Sequence, residues 1–137
     1  MTTTFATDAQ VYARAPLVGK GLERINVELV AASQSATTLD AYRVEAKRQL
    51  LESLLARGIT EGSIGNPTAL QDPEVCLAAA LVFEAAAIRD DAAQGQVDVF
   101  AGQAKRWRKA YEVAIASASP VATDTRPEGS SFTWERG

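Results

Sequence analysis

The chain has 137 residues, of which 47% are hydrophobic and 23% are charged, and its net charge is −3. This length fits one domain, and the composition is typical of globular proteins. Histidine is absent from the sequence, which excludes Ser-His-Asp and Cys-His catalytic arrangements and most zinc sites. Cys76 is the only cysteine, so an internal disulfide and a cysteine-rich metal cluster are excluded too. We therefore expect neither enzyme activity nor a cofactor.

The N-terminal part of the chain carries one clear helix signal and one ambiguous stretch. Thr7 and Gln10 have the spacing of a capping box, and Pro16 ends the short helix that follows them. In Leu17–Ser35, apolar residues alternate with polar ones as in a strand, but they also recur at helical spacing. Both interpretations stay open for this stretch, and we favour the helix because the flanking segments are helical.

The next segment has well-marked ends. Thr38 is a good N-cap for an amphipathic helix over Leu39–Ala56. Arg57 and Gly58 fit its end, since a cation in the last turn and a glycine after it are both favoured there. Ile59–Gln71 contains several glycines, an asparagine and a proline, which predicts a loop.

Asp72–Glu74 is the sharpest boundary in the sequence. The aspartate can cap, the proline suits the first helical position, and the glutamate complements the helix dipole. The helix is predicted to run to about Ala93. Val75–Ile88 carries charge only at Glu84, so this helix is apolar nearly all round. Either it is the central helix of the protein, or a neighbouring subunit covers one of its faces.

A further helix is predicted over Val97–Ser117, after a turn at Gln94–Gln96. The short turn predicts that this helix and the one before it form an antiparallel hairpin. The seam of the second helix steps by three and four residues and carries aromatic side chains. The seam residues are Val97, Phe100, Ala104, Trp107, Tyr111, Ala114 and Ala118.

Four basic residues lie within two positions of Trp107 on this last helix. Lys105, Arg106, Arg108 and Lys109 could contact a nucleic acid or an acidic partner. Alternatively, they form the solvated face of the helix, with Trp107 in the core. The second interpretation is favoured, because four cations make a weak patch and the chain as a whole is acidic.

From Ser119 the composition becomes polar and rich in proline and serine, which predicts an extended tail over residues 119–137. The tail ends in an alternating pattern in which Phe132 and Trp134 share one face of an extended segment. Such a face can dock in a partner's groove or add a strand to its sheet. We therefore take Phe132, Thr133, Trp134 and Arg136 as candidate partner-binding residues. The alternative is that the tail folds back on its own domain.

These elements predict an all-α protein: a small bundle of about four helices with an Ala-rich antiparallel hairpin, over residues 1–118, followed by the tail. Met1–Phe5 lacks the basic and apolar regions of a signal peptide. Val75–Ile88 has 14 residues, too few to cross a bilayer. We expect a cytoplasmic protein without membrane contact, and a buried, inert thiol at Cys76.

The order of these features resembles the head–tail adaptor (connector) proteins of tailed bacteriophages. The resemblance lies in the short helix at Thr7–Tyr12 and in the amphipathic helix that closes at Leu54–Ile59. It continues in the Asp72–Glu74 start of an Ala-rich hairpin and in the polar tail that ends in Ser131–Gly137. It covers most of the chain as a likeness of layout, not as a diagnostic motif.

The resemblance implies a ring of about twelve copies beneath the portal protein, around a channel through which DNA passes without specific binding. It implies that the tail docks on the portal, that neck proteins bind on the tail side, and that the protein belongs to the virion neck and is assembled in the host cytoplasm. We expect lateral packing between subunits through the helical hairpin. The residues assigned to this packing are Val75, Leu77, Leu81, Val82, Phe100, Trp107 and Tyr111.

Two other classes of function are weighed against this one. A nucleic-acid-binding module, such as a helix-turn-helix regulator or a small terminase subunit, would use the helix that bears Arg106 and Arg108. The net charge and the lack of a turn-helix signal count against it. An enzyme is disfavoured because the chain lacks histidine and any carboxylate or thiol constellation.

Overall fold

The computed structural model describes residues 4–89 and 94–121. Within these residues the chain is helical and contains no strand, so the predicted all-α class is confirmed. Five α-helices are described where about four were predicted. They are α1 (Asp8–Arg14), α2 (Val18–Ala31), α3 (Leu39–Ala56), α4 (Gln71–Arg89) and α5 (Gln94–Ser117), and two short 3-10 helices lie between α3 and α4, at Glu61–Ser63 and Pro67–Leu70.

Helix α1 begins with the predicted capping box. The Thr7 hydroxyl accepts a hydrogen bond from the Gln10 N–H at 3.2 Å, and the Thr7 N–H donates to the Gln10 side chain at 2.9 Å. The helix ends at Arg14, before Pro16, as predicted. Because both bonds are local, four residues of sequence, Thr7–Gln10, are enough to specify this start.

The ambiguous stretch is helical, and the strand interpretation is wrong. In α2, Val18, Leu22 and Ile25 are buried on one side of the helix. Val27 is exposed, whereas a strand would have placed it on the same face as Ile25. The Asn26 side chain then fixes the connection to α3, since its amide oxygen accepts from the Thr37 N–H at 2.8 Å.

Helix α3 has the predicted bounds and the predicted caps. The Thr38 hydroxyl accepts from the Ala41 N–H at its start. At its end, Gly58 has a φ of 82°, and the N–H groups of Gly58 and Ile59 donate back to the carbonyls of Leu55 and Leu54, both at 2.9 Å. This pair of bonds is a Schellman motif, which needs a left-handed residue after the helix.

Two predicted boundaries near α4 and α5 are wrong. Helix α4 begins at Gln71, because the 3-10 helix at Pro67–Leu70 leads straight into it, and Asp72 therefore lies in the first turn, where it pairs with Arg14. Helix α5 begins at Gln94, so Gln94–Gln96 is helical and not a turn. Glutamine is a good helix former, and a single glycine in a first turn costs little.

Helix α4 is the central helix. It packs against α1, α2, α3 and α5, and its residues from Pro73 to Ala80 are all buried within the single chain. The close approach of α2 depends on Gly21, since a Cβ there would lie only 3.0 Å from Cγ1 of Val82. On another side the rings of Phe83 and Phe100 stack at 6.2 Å. The first of the two alternatives therefore holds: α4 is covered mainly by helices of its own chain.

Candidate interaction surface

The residues assigned to subunit packing lie mostly in the core of the single chain. Leu81 is half-buried beside Tyr42 and Glu45. Burial within the chain leaves little of the others' surface for a neighbouring subunit, because the same area cannot be buried twice. Their role between subunits stays a prediction that this burial disfavours. The six buried residues are Val75, Leu77, Val82, Phe100, Trp107 and Tyr111.

The candidate partner-binding residues Phe132, Thr133, Trp134 and Arg136 lie outside the described residues. Their role therefore stays a prediction. The first residues of the predicted tail are described, and Pro120 is buried. Its carbonyl accepts hydrogen bonds from the backbone N–H groups of Gly65 and Asn66, at 3.1 and 2.8 Å. The folded body therefore extends past residue 118, where the domain was predicted to end.

Trp107 is buried, as the interpretation of the α5 cations as a solvated face expects, and the choice between that interpretation and a partner contact stays a prediction. Lys105, Arg106 and Lys109 are exposed. Arg108 makes a bidentate pair with Glu84 of α4, at 2.8 and 3.0 Å. The guanidinium of Arg106 lies 5.3 Å from the centroid of the Trp107 ring, within range of a cation–π interaction.

A groove between α4 and α5 has a volume of about 680 Å³. It is lined by alanines and one isoleucine together with charged side chains. Ile88 at its edge is 76% exposed, a high value for so large an apolar side chain. We call this the α4–α5 groove. It is lined by Glu84, Ala87, Ile88, Ala101, Ala104, Lys105, Arg108, Lys109 and Glu112.

A buried carboxylate, predicted from the sequence only to complement the dipole of its helix, holds the N-terminal segment. Glu74 is fully buried, and its two oxygens accept the backbone N–H groups of Phe5 and Ala6, at 3.0 and 2.8 Å. Arg43 of α3 donates to the Ala6 carbonyl and to Asp8, both at 2.6 Å. Burial raises the pKa of Glu74, and the two backbone hydrogen bonds oppose this increase. The only signal in the sequence was a glutamate next to a long apolar run.

The Cys76 thiol is buried, as predicted, and burial raises its pKa to about 11. Such a thiol stays protonated near neutral pH and is a poor nucleophile. The described residues include no group of acidic or cysteine side chains placed to hold a metal ion. None of the described helices is both long enough and apolar enough to cross a bilayer.

No protein-family model, curated protein or solved structure matches this chain. The α4–α5 groove, the caged N-terminal segment and the buried thiol are therefore interpreted from their own chemistry.

Proposed function

We propose that this protein is a structural assembly protein: a head–tail adaptor of a tailed bacteriophage, which forms a homo-oligomeric ring between the portal and the tail. The observation that carries the proposal is the exposed α4–α5 groove on a chain whose core is already complete. An apolar surface of this kind marks a site of protein–protein contact more often than an accident of the surface. The layout of the elements supports the phage class within this broader proposal.

The proposed subunit is a compact helical bundle in which α4 and α5 form an antiparallel hairpin. Two contacts support this direction. The residues just before α4 lie beside the end of α5, since Asn66 bonds to Pro120, and the later part of α4 reaches the middle of α5, since Glu84 pairs with Arg108. Such a hairpin is stiff enough to form the wall of a ring.

In this proposal the tail predicted over residues 119–137 provides the axial contact through its last residues. Phe132 and Trp134, with Thr133 and Arg136 between and after them, dock on the portal protein, and neck proteins bind the opposite end of the ring. A net charge of −3 per chain, repeated around a ring, disfavours adhesion of the DNA that passes through the channel. The assembled protein would then reside in the virion neck, after assembly in the host cytoplasm.

Oligomeric state and portal binding test this proposal together. We expect native mass measurement to find a large ring of the protein, alone or on a co-expressed portal protein. Deleting residues 131–137 should abolish co-purification with the portal and leave the circular dichroism spectrum of the body unchanged. A Ser130→Ala variant serves as the matched control within the tail. A stable monomer that binds no portal would overturn the proposal.

A nucleic-acid-binding role is the second candidate, because Lys105, Arg106 and Lys109 are exposed within five residues of α5. Two observations weaken it. Arg108 is already engaged by Glu84, and Arg106 lies against the Trp107 ring. Binding to a DNA duplex that weakens steeply with salt, and that is lost in a Lys105→Glu/Lys109→Glu variant, would favour this role over the adaptor.

A further inference from the structure

The outer face of α2 is a second exposed apolar surface. Val27 and Val30 lie on neighbouring turns and are 54% and 63% exposed. Glu23 and Lys20 continue the same face toward the start of the helix, and both are exposed. We call this face the α2 ridge, defined by Lys20, Glu23, Val27 and Val30. Residues three and four apart lie on one side of a helix, so these four form a continuous row.

The α2 ridge and the α4–α5 groove open on opposite sides of α4. Gly21 brings α2 against Val82, whereas Glu84 and Ile88 line the groove. Each residue turns a helix by about 100°, so Val82 and Glu84 point about 160° apart. A contact between two different surfaces on opposite sides of a subunit is heterologous, and a heterologous contact generates a ring when the rotation between subunits closes. A two-fold dimer would instead use one surface twice.

The charges of the two surfaces match in one register. Along α2 the row reads cation, anion, valine, valine, at steps of 3, 4 and 3 residues. Along α5 the rim of the groove reads alanine, cation, cation, anion, at steps of 4, 4 and 3 residues. Read in the opposite direction, from Glu112 to Ala101, the α5 row is therefore anion, cation, cation, alanine. The α5 row consists of Ala101, Lys105, Lys109 and Glu112.

We propose that the α2 ridge of one copy lies antiparallel along α5 in the α4–α5 groove of the next copy. In this register Glu23 faces Lys109 of the next copy, and Lys20 faces Glu112. Val27 then lies along the aliphatic stem of Lys105, and Val30 reaches the apolar end of the groove at Ala101, where it meets Ile88. The inference rests on the proposed ring and names its lateral interface. The valines and Ile88 supply apolar area, and the charged pairs fix direction and register.

Variants that block one surface each give the sharpest test. Val27→Asp/Val30→Asp blocks the ridge and keeps the groove, whereas Ile88→Asp/Lys109→Glu blocks the groove and keeps the ridge. All four side chains are exposed, so both variants should keep the wild-type circular dichroism spectrum. Sedimentation velocity should find each variant monomeric alone. An equimolar mixture should form a heterodimer and nothing larger, because only one competent ridge and one competent groove remain.

The matched control is Leu55→Asp on α3, where the leucine is 61% exposed and lies outside both surfaces. This variant should assemble as the wild type does. Self-association of the ridge-blocked variant at wild-type strength would overturn the inference, since it would point to a groove-to-groove contact. A mixture of the two blocked variants that stays monomeric would overturn it as well.

Charge reversal tests the register. Glu23→Lys and Lys109→Glu should each weaken association by roughly five- to ten-fold at low salt, since each places like charges together. The double variant Glu23→Lys/Lys109→Glu should return to within about two-fold of the wild type, because the pair is restored with opposite polarity. A double variant whose loss of association affinity equals the sum of the two single losses would overturn the pairing of Glu23 with Lys109.

Failure of this inference can be told apart from failure of the proposed function. A wild-type ring that survives both blocking variants overturns the interface and leaves the adaptor proposal standing. Head-to-tail assembly through these surfaces, without binding to a portal protein, supports the interface and overturns the adaptor. A wild-type chain that is monomeric at every concentration tested, and binds no portal, overturns both.

Discussion

Glu74 is an acidic residue whose side chain is fully buried. A carboxylate is seldom buried unless its oxygens are satisfied, and here both accept N–H groups from a segment about seventy residues away in sequence. Lys47 adds to this cage, since its ammonium lies 5.1 Å from the centroid of the Phe5 ring. The N-terminal segment is thus held by side chains of α3 and α4.

Replacing Glu74 by leucine should lower the free energy of unfolding at pH 7 by about 1–3 kcal/mol. Leucine has no acceptor, so the buried backbone N–H groups of Phe5 and Ala6 both lose their hydrogen bonds. Chemical denaturation with circular dichroism measures the change. Glu52→Leu is the control, because that carboxylate is exposed and its pair with Arg48 contributes little. A loss no larger than the control's would contradict the clamp.

The pKa of Glu74 also predicts a pH dependence. Burial raises its folded-state pKa above the ordinary value of 4.5, so the neutral form is relatively favoured in the folded state. The resulting stabilisation is fully present below pH 4.5 and is lost as the pH rises through the folded-state pKa. The stability of the wild type relative to Glu74→Leu should therefore increase as the pH falls from 7 toward 4.5. A difference that shrinks on acidification would contradict this.

Cys76 should be nearly unreactive in the folded protein. With a pKa of about 11, only about 0.1% of the thiol is ionised at pH 8, and it is buried as well. An aromatic disulfide reagent should label it slowly in buffer and stoichiometrically in denaturant. A Ser35→Cys variant, whose new thiol is exposed, should add one rapidly reacting equivalent. Rapid labelling of the native wild type would contradict the burial.

At the scale of elements, the ends of helices are specified by single residues. The clearest case is α3, which begins at the Thr38 cap and ends at Gly58 in the left-handed region. A Cβ added at Gly58 would meet no atom within 4 Å, so any cost of a side chain there comes from the backbone alone.

Gly58→Ala should therefore lower the free energy of unfolding by about 1 kcal/mol, because alanine is strained at positive φ. Gly62→Ala is a matched control, since a Cβ there also meets nothing within 4 Å and Gly62 has no positive φ. Thermal denaturation of both variants measures the difference. Equal melting temperatures would show that the Schellman motif contributes little to stability.

At the scale of the whole molecule, α4 organises the fold, and the other helices surround it. Contacts across the body include the Arg57 guanidinium on the Ile115 carbonyl at 2.8 Å and the Tyr111 hydroxyl on Ser53 at 2.9 Å. The segment after α5 joins this body through Pro120. The boundary between body and tail therefore follows from tertiary hydrogen bonds and not from the change in composition at Ser119.

Truncation locates this boundary. A chain ending at Val121 keeps the hydrogen bonds from Gly65 and Asn66 to the Pro120 carbonyl and is the reference for a shorter chain. A chain ending at Ala118 should lose about 1–2 kcal/mol, since the N–H groups of Gly65 and Asn66 lose the Pro120 carbonyl. Differential scanning calorimetry of the two chains decides the point, and identical melting temperatures would place the boundary at 118.

Sequence alone was enough to predict the helical class, the starts of α1 and α3, the end of α3 and the part of the α5 seam that is buried, from Phe100 to Tyr111. These features depend on contacts within four or five residues or on the period of the helix, so a local pattern carries them. One such prediction, the start of α4, was wrong. The short 3-10 helix leads directly into α4, so α4 begins before Asp72, the best capping residue. The secondary structure of Leu17–Ser35 stayed open because its apolar residues fit both the period of a helix and the period of a strand.

Only the tertiary structure decided what surrounds each apolar face. The sequence could say that α4 is apolar nearly all round, but not whether its own chain or a neighbour covers it. It could not bring Glu74 to Phe5 and Ala6, nor place the α2 ridge opposite the α4–α5 groove. Such contacts join residues tens of positions apart, and no local pattern records them. The same type of side chain can lie in the core, hold another segment in place or form part of an interface, and the helix that packs against it decides which.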